Sequence, residues 1–328
     1  MRVLVTGATT PLGRALVDTL ASSGDCSLVL AVGREPGADQ RWPADVVYRC
    51  VDLTRGREVH DLICGDAVEH KIDTVVHMAQ HRAPLDRGRK VHAQNVTATR
   101  ELLLRCTDHP TIHRFVQRSF AEVYAFEHAT SDLLDEDAAL DFDPAAPQWL
   151  RDRIEADLTA CAHFGRPLQI AVLRCAELLA ADSGSQLWDY LSSRVCLRPL
   201  GFDPMLNVLS LEDALAAIVA AARSTQTGVF NIPGADTLPL SRVIAETVRV
   251  DIPVPGPLLA PLYGLRRRIT GFEFRYDLNL RRFHIGGVID GARARDLLGY
   301  VPSHPVQWPH SWWRLLLERL TALRSEAS

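Results

Sequence analysis

The N-terminal segment contains the pattern that most constrains the fold. An apolar run at residues 3–5 leads through Gly7 into apolar residues at helical spacing. Gly7 permits a sharp turn, Pro11 suits the first turn of a helix, and Gly13 lets the helix pack closely on the strand. The pattern therefore predicts a strand, a tight turn and a helix whose N-terminus faces an anion such as a pyrophosphate.

Position 10 departs from the usual form of this turn, which has a further glycine beside the phosphate. Thr10 stands there instead. Its hydroxyl can donate to a phosphate oxygen, whereas its methyl group can crowd that oxygen, and the sequence leaves both outcomes open. Similar glycine turns occur in other α/β proteins, so this turn alone does not establish a dinucleotide site. The rest of the chain must decide between a dinucleotide-binding turn and an ordinary tight turn.

Strand-like and helix-like segments alternate along the chain. Short apolar runs of the kind found in buried parallel strands are separated by longer segments with helical spacing. This order predicts an α/β fold: a Rossmann-type doubly wound parallel sheet in a domain of residues 1–175, and a smaller mixed α/β lobe of residues 176–328, interleaved with the last sheet strands at about 207–232. The predicted strands are 3–5, 28–32, 46–51, 74–77, 115–117 and 168–173, and the predicted crossover helices include 93–104 and 151–162.

Composition excludes several classes of function. A net charge of -4 gives no positive surface for nucleic acid. The seven cysteines are scattered without a Cys-x-x-Cys pair, which favours reduced thiols. His77 and His81 have no third ligand at a recognisable spacing, so no metal site is predicted. The longest apolar run, 214–222, is too short to span a bilayer, and we expect a cytoplasmic protein.

Short motifs occur along the chain in a distinctive order. They are Thr6-Gly7-Ala8-Thr9, Asp52-Leu53, Val75-Val76-His77-Met78-Ala79, Asn95-Val96-Thr97-Ala98-Thr99, Arg114-Phe115-Val116, Ser119 and Val123-Tyr124. In this order they resemble the extended short-chain dehydrogenase/reductases, the NAD-dependent epimerase/dehydratase family. Segments 209–215 and 229–234 are similar to later motifs of that family, so the resemblance covers most of the chain.

The resemblance implies a bound nicotinamide dinucleotide. The residues that it assigns to cofactor binding are Gly7, Thr9, Thr10, Pro11, Leu12, Gly13, Arg34, Asp52, Leu53, Met78, Ala79, Gln80, Asn95 and Arg153. An NAD-preferring member places an acid where this chain has Gly33, which Arg34 follows. A guanidinium can pair with a 2′-phosphate, so NADP(H) is favoured over NAD(H). The alternative is that Arg34 is an ordinary solvated arginine.

The resemblance also implies a catalytic set that this chain lacks. Family chemistry uses a serine or threonine hydroxyl and a tyrosine with a lysine four residues later on the same helical face. The chain has only two lysines, Lys71 and Lys90, so no such pair exists downstream. The aligned positions hold Phe120, Trp149 and Arg153. Phenylalanine offers no hydrogen bond and tryptophan does not titrate usefully, whereas arginine keeps the positive charge.

Two classes of function remain open. The first, which we favour, is a non-catalytic or regulatory protein that binds NADP(H) and a second ligand. The second is an NADP-dependent oxidoreductase or epimerase whose acid/base group is Ser119, Glu122 or Tyr124, which cluster after one strand. The alternative for these residues is structural, with Tyr124 packing in the core and Glu122 at a helix start.

The second half of the chain suggests a class of ligand and two segments that either pack in the core or form contact surfaces. Its arginines favour a small-molecule ligand that bears phosphate, as the nucleotide-sugar resemblance implies. Segments 258–265 and 310–320 place apolar residues beside arginines, which suits core packing and, less well, contact with a membrane surface. The arginines that favour the phosphate-bearing ligand are Arg266, Arg267, Arg268 and Arg275.

A homodimer through the helix that bears Trp149 is expected by analogy with the family.

Overall fold

The computed structural model describes residues 1–36, 42–81, 86–126, 133–180, 183–270 and 274–308. The predicted helix at 310–320 lies outside this part of the chain. The strands of the described residues are β1 (Arg2–Thr6), β2 (Leu28–Gly33), β3 (Val46–Cys50), β4 (Thr74–His77), β5 (Arg114–Phe120), β6 (Leu133–Leu134), β7 (Gln169–Cys175), β8 (Glu177–Leu178), β9 (Val195–Pro199), β10 (Met205–Leu209), β11 (Gly228–Ile232), β12 (Asp236–Pro239), β13 (Val250–Val254) and β14 (Val288–Ile289).

Helices cover both faces of the largest sheet and build much of the second lobe. They are α1 (Pro11–Ala21), α2 (Gly56–Asp61), α3 (Ala67–Glu69), α4 (Arg89–His92), α5 (Ala98–Thr107), α6 (Gln148–Cys161), α7 (Gln186–Leu191), α8 (Leu211–Arg223), α9 (Leu240–Glu246), α10 (Gly256–Thr270), α11 (Leu280–His284) and α12 (Ala292–Leu298). Two π-helical segments, Leu62–Asp66 and Ala93–Thr97, join α2 to α3 and α4 to α5.

The largest sheet has the order β11-β7-β5-β4-β1-β2-β3, and within the described residues its seven strands are all parallel. The chain winds from β1 towards one edge and then returns past β1 to build the other. Crossover helices lie on both faces and bury most of the strands, whereas β3 at the edge is only half-buried. The predicted doubly wound α/β sheet is therefore confirmed. The order reverses between β1 and β4, where such sheets open a crevice at their carboxyl ends.

Two apolar layers hold this sheet. On one face α1 and α8 pack through residues such as Leu16 and Ile218, both at most 1% exposed. On the other face α5 contributes Leu102 and Leu103 to a second buried cluster. Burial of a leucine-sized side chain contributes roughly 1.5–3 kcal/mol, so the two layers fix the strand ends that form the site.

The second lobe combines small sheets with an aromatic core. Tyr190, Tyr263, Phe274 and Phe283 meet there with ring centroids 4.8–6.5 Å apart. The stretch 207–232 was expected to supply the last strands of the large sheet. The structure places β11 there, but β10 pairs with β12 and β8 in a separate sheet.

The apolar segment 258–265 forms part of α10. Leu259 and Tyr263 are buried on its inner side, whereas Leu258 and Leu265 are exposed. The inner side packs on the core of the second lobe, and contact of the outer side with a membrane surface stays a prediction. Among the described residues, every helix is too short or too polar to cross a bilayer.

Candidate functional site

A cleft of about 330 Å³ opens at the carboxyl ends of β1, β2 and β4, and we call it the cofactor cleft. It lies at the reversal point of the strand order, where this class of sheet holds its ligands. Eight of the residues that the sequence assigned to the cofactor line it: Gly7, Thr9, Thr10, Arg34, Asp52, Leu53, Ala79 and Gln80.

The glycine turn has the close approach that the sequence predicts. Gly7 has a φ of 71°, a conformation that side chains disfavour. A Cβ at Gly13 would lie 2.0 Å from the Gly7 carbonyl oxygen, and one at Gly7 would lie 3.1 Å from the Ala79 nitrogen. Helix α1 therefore packs against the strand, and Thr10 at its N-terminus lines the cleft, which brings the positive dipole end of the helix to it.

Thr10 has a third role that the sequence interpretation missed. Its hydroxyl donates to the Gly7 carbonyl (2.8 Å) and accepts from the Gly13 N–H (3.0 Å), which makes Thr10 the N-cap of α1. Threonine is a preferred N-cap residue, and Pro11 follows at the first helical position, so the cap was readable from the sequence. The hydroxyl stabilises the turn itself, and no phosphate is needed to explain it.

Some predicted residues support the cleft without lining it. Leu12 and Met78 are buried beneath it. The Asn95 side-chain oxygen accepts from the His81 N–H at 2.7 Å and so holds the rim. Gln80 donates through its amide nitrogen to the Arg118 carbonyl, while its buried Oε1 has no partner among the described atoms. That free acceptor, together with the turn, fits a dinucleotide with amide and hydroxyl donors.

Charges of both signs lie at the rim beyond β2. The Arg34 guanidinium donates to the Gln94 side chain (3.0 Å) and lies 3.8 Å from the Asp52 carboxylate. Glu35, which the sequence interpretation did not consider, also lines the cleft, and a hydrogen bond from Thr9 lowers the pKa of Glu35. The sequence signal for this role was the position of Glu35, two residues after Gly33.

The three residues that the family resemblance aligned with the catalytic positions lie together. Phe120 ends β5, and Trp149 and Arg153 lie one turn apart on α6. The Arg153 guanidinium carbon is 3.6 Å from the centroid of the Phe120 ring and 4.7 Å from that of Trp149. The guanidinium is therefore held between two aromatic side chains by cation–π contact.

A network of two arginines and two glutamates adjoins these rings, and we call it the Arg–Glu network. Arg153 bonds Glu122 at 2.5 Å, and Arg282 bridges Glu122 and Glu177, the latter at 2.8 Å. The four side chains are only 12–22% exposed, so these ion pairs are largely desolvated. Glu177 and Arg282 were missed because they follow Glu122 by many residues and join it only through the fold.

The two carboxylates of the Arg–Glu network differ in pKa. Burial opposes ionisation of Glu122, but the charges of Arg153 and Arg282 outweigh it and lower the pKa of Glu122 to about 2. Burial raises the pKa of Glu177, and the charge of Glu122 adds to that rise although Arg282 opposes it. Glu122 is thus fixed as an anion, while Glu177 is the carboxyl more easily protonated.

Ser119 and Tyr124 are tied to structural partners. Ser119 donates to Asp157 at 2.5 Å, and Asp157 pairs with Arg174 at 2.8 Å. The Tyr124 hydroxyl donates to Asn231 at 2.7 Å, and burial raises the pKa of Tyr124 to about 12. These contacts match the structural alternative for Tyr124.

The histidines considered for a metal have other partners. His77 is fully buried between the hydroxyls of Thr6 and Thr99, and burial lowers its pKa to about 4. His81 pairs with Asp86 at 2.7 Å. Within the described residues one group, Asp66, Glu69 and His70, brings ligand atoms within 4.8 Å of one another, and Asp66 is bonded to Arg49.

A second cavity, of about 270 Å³, adjoins the Arg–Glu network, and we call it the ligand pocket. It lies between the strand ends of the large sheet and α11 of the second lobe. Arg266 and Arg275, expected to bind phosphate, do not line it in the described structure: Arg266 donates to the Val195 carbonyl and Arg275 pairs with Asp277. Arg267 and Arg268 lie on α10, also outside the lining.

The parallel sheet, its reversal point and the capped glycine turn define a Rossmann-type α/β protein. Residues 3–149 match the model of the NAD dependent epimerase/dehydratase family. A Mycobacterium tuberculosis protein without an assigned function is 30% identical over 92% of this chain and 80% of its own length. The chain belongs to the NAD-dependent epimerase/dehydratase family.

Two further proteins show how far this similarity extends. A 3-diazoavenalumate denitrifying reductase from Streptomyces is 29% identical over 93% of this chain and 97% of its own length. A UDP-glucuronic acid 4-epimerase from Bacillus cereus, solved with UDP-glucuronic acid and NAD, has a TM-score of 0.69 at 16% identity, with 93% of this chain and 95% of that chain covered. At that identity the second comparison shows the fold alone.

Proposed function

We propose that this protein binds NADP(H) in the cofactor cleft and a small molecule in the ligand pocket, without the tyrosine-dependent proton transfer of its family. One observation carries the proposal. The position beside the cleft where a tyrosine and a lysine would handle protons holds Trp149 and Arg153, and Arg153 is bound to Glu122. Such a protein would report cofactor or ligand occupancy to a partner.

The cofactor half of the proposal rests on the backbone. The N-terminus of α1, the left-handed Gly7 and the close approach at Gly13 form a cradle for a pyrophosphate. Arg153, four residues after Trp149 on α6, keeps a positive charge that can bond ribose hydroxyls. A bound NADP(H) would supply a hydride.

The preference for NADP(H) over NAD(H) rests on Arg34. Gln94 holds its guanidinium at the rim of the cleft, where a 2′-phosphate can pair with it. Glu35 opposes this preference, because its carboxylate lies at the same rim and can accept from a ribose 2′-hydroxyl. The expected margin between the two cofactors is therefore small, roughly tenfold in affinity.

The proposed loss of family-type catalysis also rests on the protonation state of Glu122. Glu122 lies nearest to Arg153, but its depressed pKa keeps it ionised at neutral pH, and two arginines occupy its oxygens. Positioned acid/base groups typically contribute about 10²–10⁴-fold to a rate. Without such a group, at most slow turnover by the family route is expected.

Calorimetric titration with NADPH and NADH tests the binding half. We expect micromolar or tighter binding of NADPH and weaker binding of NADH. The matched variant Arg34→Ala should lose the difference between the two cofactors. If neither cofactor binds the wild-type protein, the proposal fails.

An NADP-dependent reductase is the second candidate, and two observations favour it. The Streptomyces relative, which matches 93% of this chain, is named a reductase. Glu177 lines the ligand pocket with a raised pKa, so it can hold a proton near a bound molecule. In this alternative, NADPH oxidation with a carbonyl substrate would fall at least tenfold in Glu177→Gln and show a pH profile that the variant loses.

A further inference from the structure

We infer that the ligand pocket accepts an uncharged or cationic aromatic molecule and excludes nucleoside diphosphate sugars. The inference rests on the proposed function, in that it takes this pocket as the ligand site beside the cofactor cleft. It contradicts the phosphate-bearing ligand that the family resemblance implies, and it follows from the charges, size and free hydrogen-bonding groups of the pocket.

Acidic groups outnumber basic ones in the lining. Two guanidiniums are present, Arg281 and Arg282, against five carboxyl groups. A pocket that binds a diphosphate needs the reverse balance, because each phosphate requires positive charge or several N–H donors to replace its water. The five carboxyl residues are Glu122, Asp141, Asp143, Glu177 and Asp277.

Both lining arginines are already engaged by pairs of carboxylates. Arg281 bonds Asp141 and Asp143, the latter at 2.6 Å. Arg282 bridges Glu122 and Glu177. A phosphate could reach either guanidinium only by displacing a carboxylate that remains beside it. Repulsion between the two anions would then cancel much of what the new pair contributes.

The remaining polar lining is also engaged. The Asn207 amide nitrogen donates to Thr237 at 2.7 Å, and its oxygen accepts from the Gly234 N–H at 2.8 Å. The Nε1 of Trp149, whose side chain lines the pocket, is buried and makes no hydrogen bond within the described residues. A ligand with a single acceptor oxygen, such as a phenol, would satisfy it.

The rest of the lining suits a flat apolar body. Trp149, Phe126, Leu206 and Ile289 contribute to it. Aromatic rings bind an aromatic ligand by offset or edge-to-face packing and favour a cation near the ring face. A volume of about 270 Å³ has room for a single-ring molecule.

A series of probes with one aromatic body and different charges tests the inference. Tyramine is cationic, tyrosol is neutral and 4-hydroxyphenylacetate is anionic, and all three carry a phenol. Calorimetry on the full chain saturated with NADP⁺ should show tyramine and tyrosol binding at least about tenfold more tightly than 4-hydroxyphenylacetate, which is about 1.4 kcal/mol. UDP-glucose should show no binding at millimolar concentration.

Two variants connect the ranking to the pocket. Asp143→Asn removes a carboxylate that is 37% exposed and should reduce the advantage of tyramine over 4-hydroxyphenylacetate about threefold. Glu155→Gln removes a comparably exposed carboxylate that pairs with Arg100 outside the lining, and should leave the ranking unchanged.

Three results would overturn the inference: micromolar binding of UDP-glucose, tighter binding of 4-hydroxyphenylacetate than of tyramine, or no binding of tyramine and tyrosol at millimolar concentration. NADP⁺ affinity is measured separately. If NADP⁺ fails to bind, the cofactor proposal fails, and the same probe ranking on the cofactor-free protein still decides the ligand class.

Discussion

The cofactor cleft and the Arg–Glu network differ in how their formation depends on sequence. The cleft is formed largely by backbone: the φ of Gly7, the close approach at Gly13 and the N-terminus of α1. The network is formed by side-chain ends that meet from the turn after β5 and from α6, β8 and α11. A fold can therefore keep a binding cradle while the ionisable groups beside it are replaced.

This difference has an electrostatic reason. A phosphate cradle made of N–H groups needs only that the turn retain its shape. Proton transfer needs a group whose pKa lies near the working pH. In the Arg–Glu network two arginines move the pKa of Glu122 to about 2, so this carboxylate stays ionised near neutral pH.

The largest expected effect is on the backbone side of the comparison. Gly13→Val should destabilise the protein by more than about 3 kcal/mol and abolish NADPH binding, because its Cβ would lie 2.0 Å from the Gly7 oxygen. Urea unfolding and NADPH titration measure both effects. Gly24→Ala is the control, since a Cβ there meets nothing within 4 Å. Equal losses of stability and of NADPH binding in both variants would show that the close approach at Gly13 is not their cause.

The next effect tests the side-chain region. Arg153→Met should cost about 2 kcal/mol, because it leaves Glu122 largely buried with one guanidinium instead of two. Arg100→Met removes an exposed ion pair with Glu155 and should cost less than about 1 kcal/mol. Urea unfolding at neutral pH compares them. A smaller loss in Arg153→Met than in Arg100→Met would contradict the assignment of a desolvated network.

A third prediction concerns the choice between NADPH and NADH at the rim of the cleft. Arg34→Ala should weaken NADPH binding about tenfold, or about 1.4 kcal/mol, and leave NADH binding nearly unchanged. Glu35→Gln should strengthen NADPH binding and weaken NADH binding, since it removes the opposing carboxylate. Calorimetry on the four protein–cofactor pairs decides. Parallel changes for both cofactors would mean that neither residue contacts the 2′ position.

The smallest effect is a pH dependence. The pKa of Glu122 is lowered from 4.5 to about 2, so its ion pairs stabilise the folded state above about pH 4.5 and lose that contribution as the pH falls towards 2. The stability advantage of wild type over Glu122→Gln should therefore shrink in acid, by on the order of 1 kcal/mol, because the raised pKa of Glu177 offsets part of it. A stability advantage of wild type that grows as the pH falls would contradict this prediction.

The two regions were not equally predictable from sequence. Gly7 and Gly13 signal their turn locally, and the N-cap role of Thr10 was readable from the proline that follows it. The order of neighbouring motifs was enough to propose Phe120, Trp149 and Arg153 as counterparts of the family's catalytic residues. Glu177 and Arg282 carry no such motif, and only the three-dimensional meeting of separate elements joins them to Glu122.

The ligand pocket shows the same limit. The sequence predicted phosphate binding from four arginines of the second lobe, but a charge count gives no information about partners. Arg275 is neutralised by Asp277, and Arg281, which the sequence left unremarked, lines the pocket between Asp141 and Asp143. Long-range pairing of charges is decided by the fold.

A single-turnover measurement tests the central claim most directly. Protein with bound NADP⁺ is mixed with an excess of tyrosol, a neutral alcohol that the ligand pocket should bind, and in a separate experiment with an excess of UDP-glucose. The absorbance of the reduced nicotinamide is followed while calorimetry confirms cofactor binding in the same buffer. We predict stoichiometric binding of NADP⁺ and no reduced nicotinamide. Rapid formation of reduced nicotinamide that is lost in Tyr124→Phe would contradict the claim, because a family-type proton transfer would then operate beside the cleft.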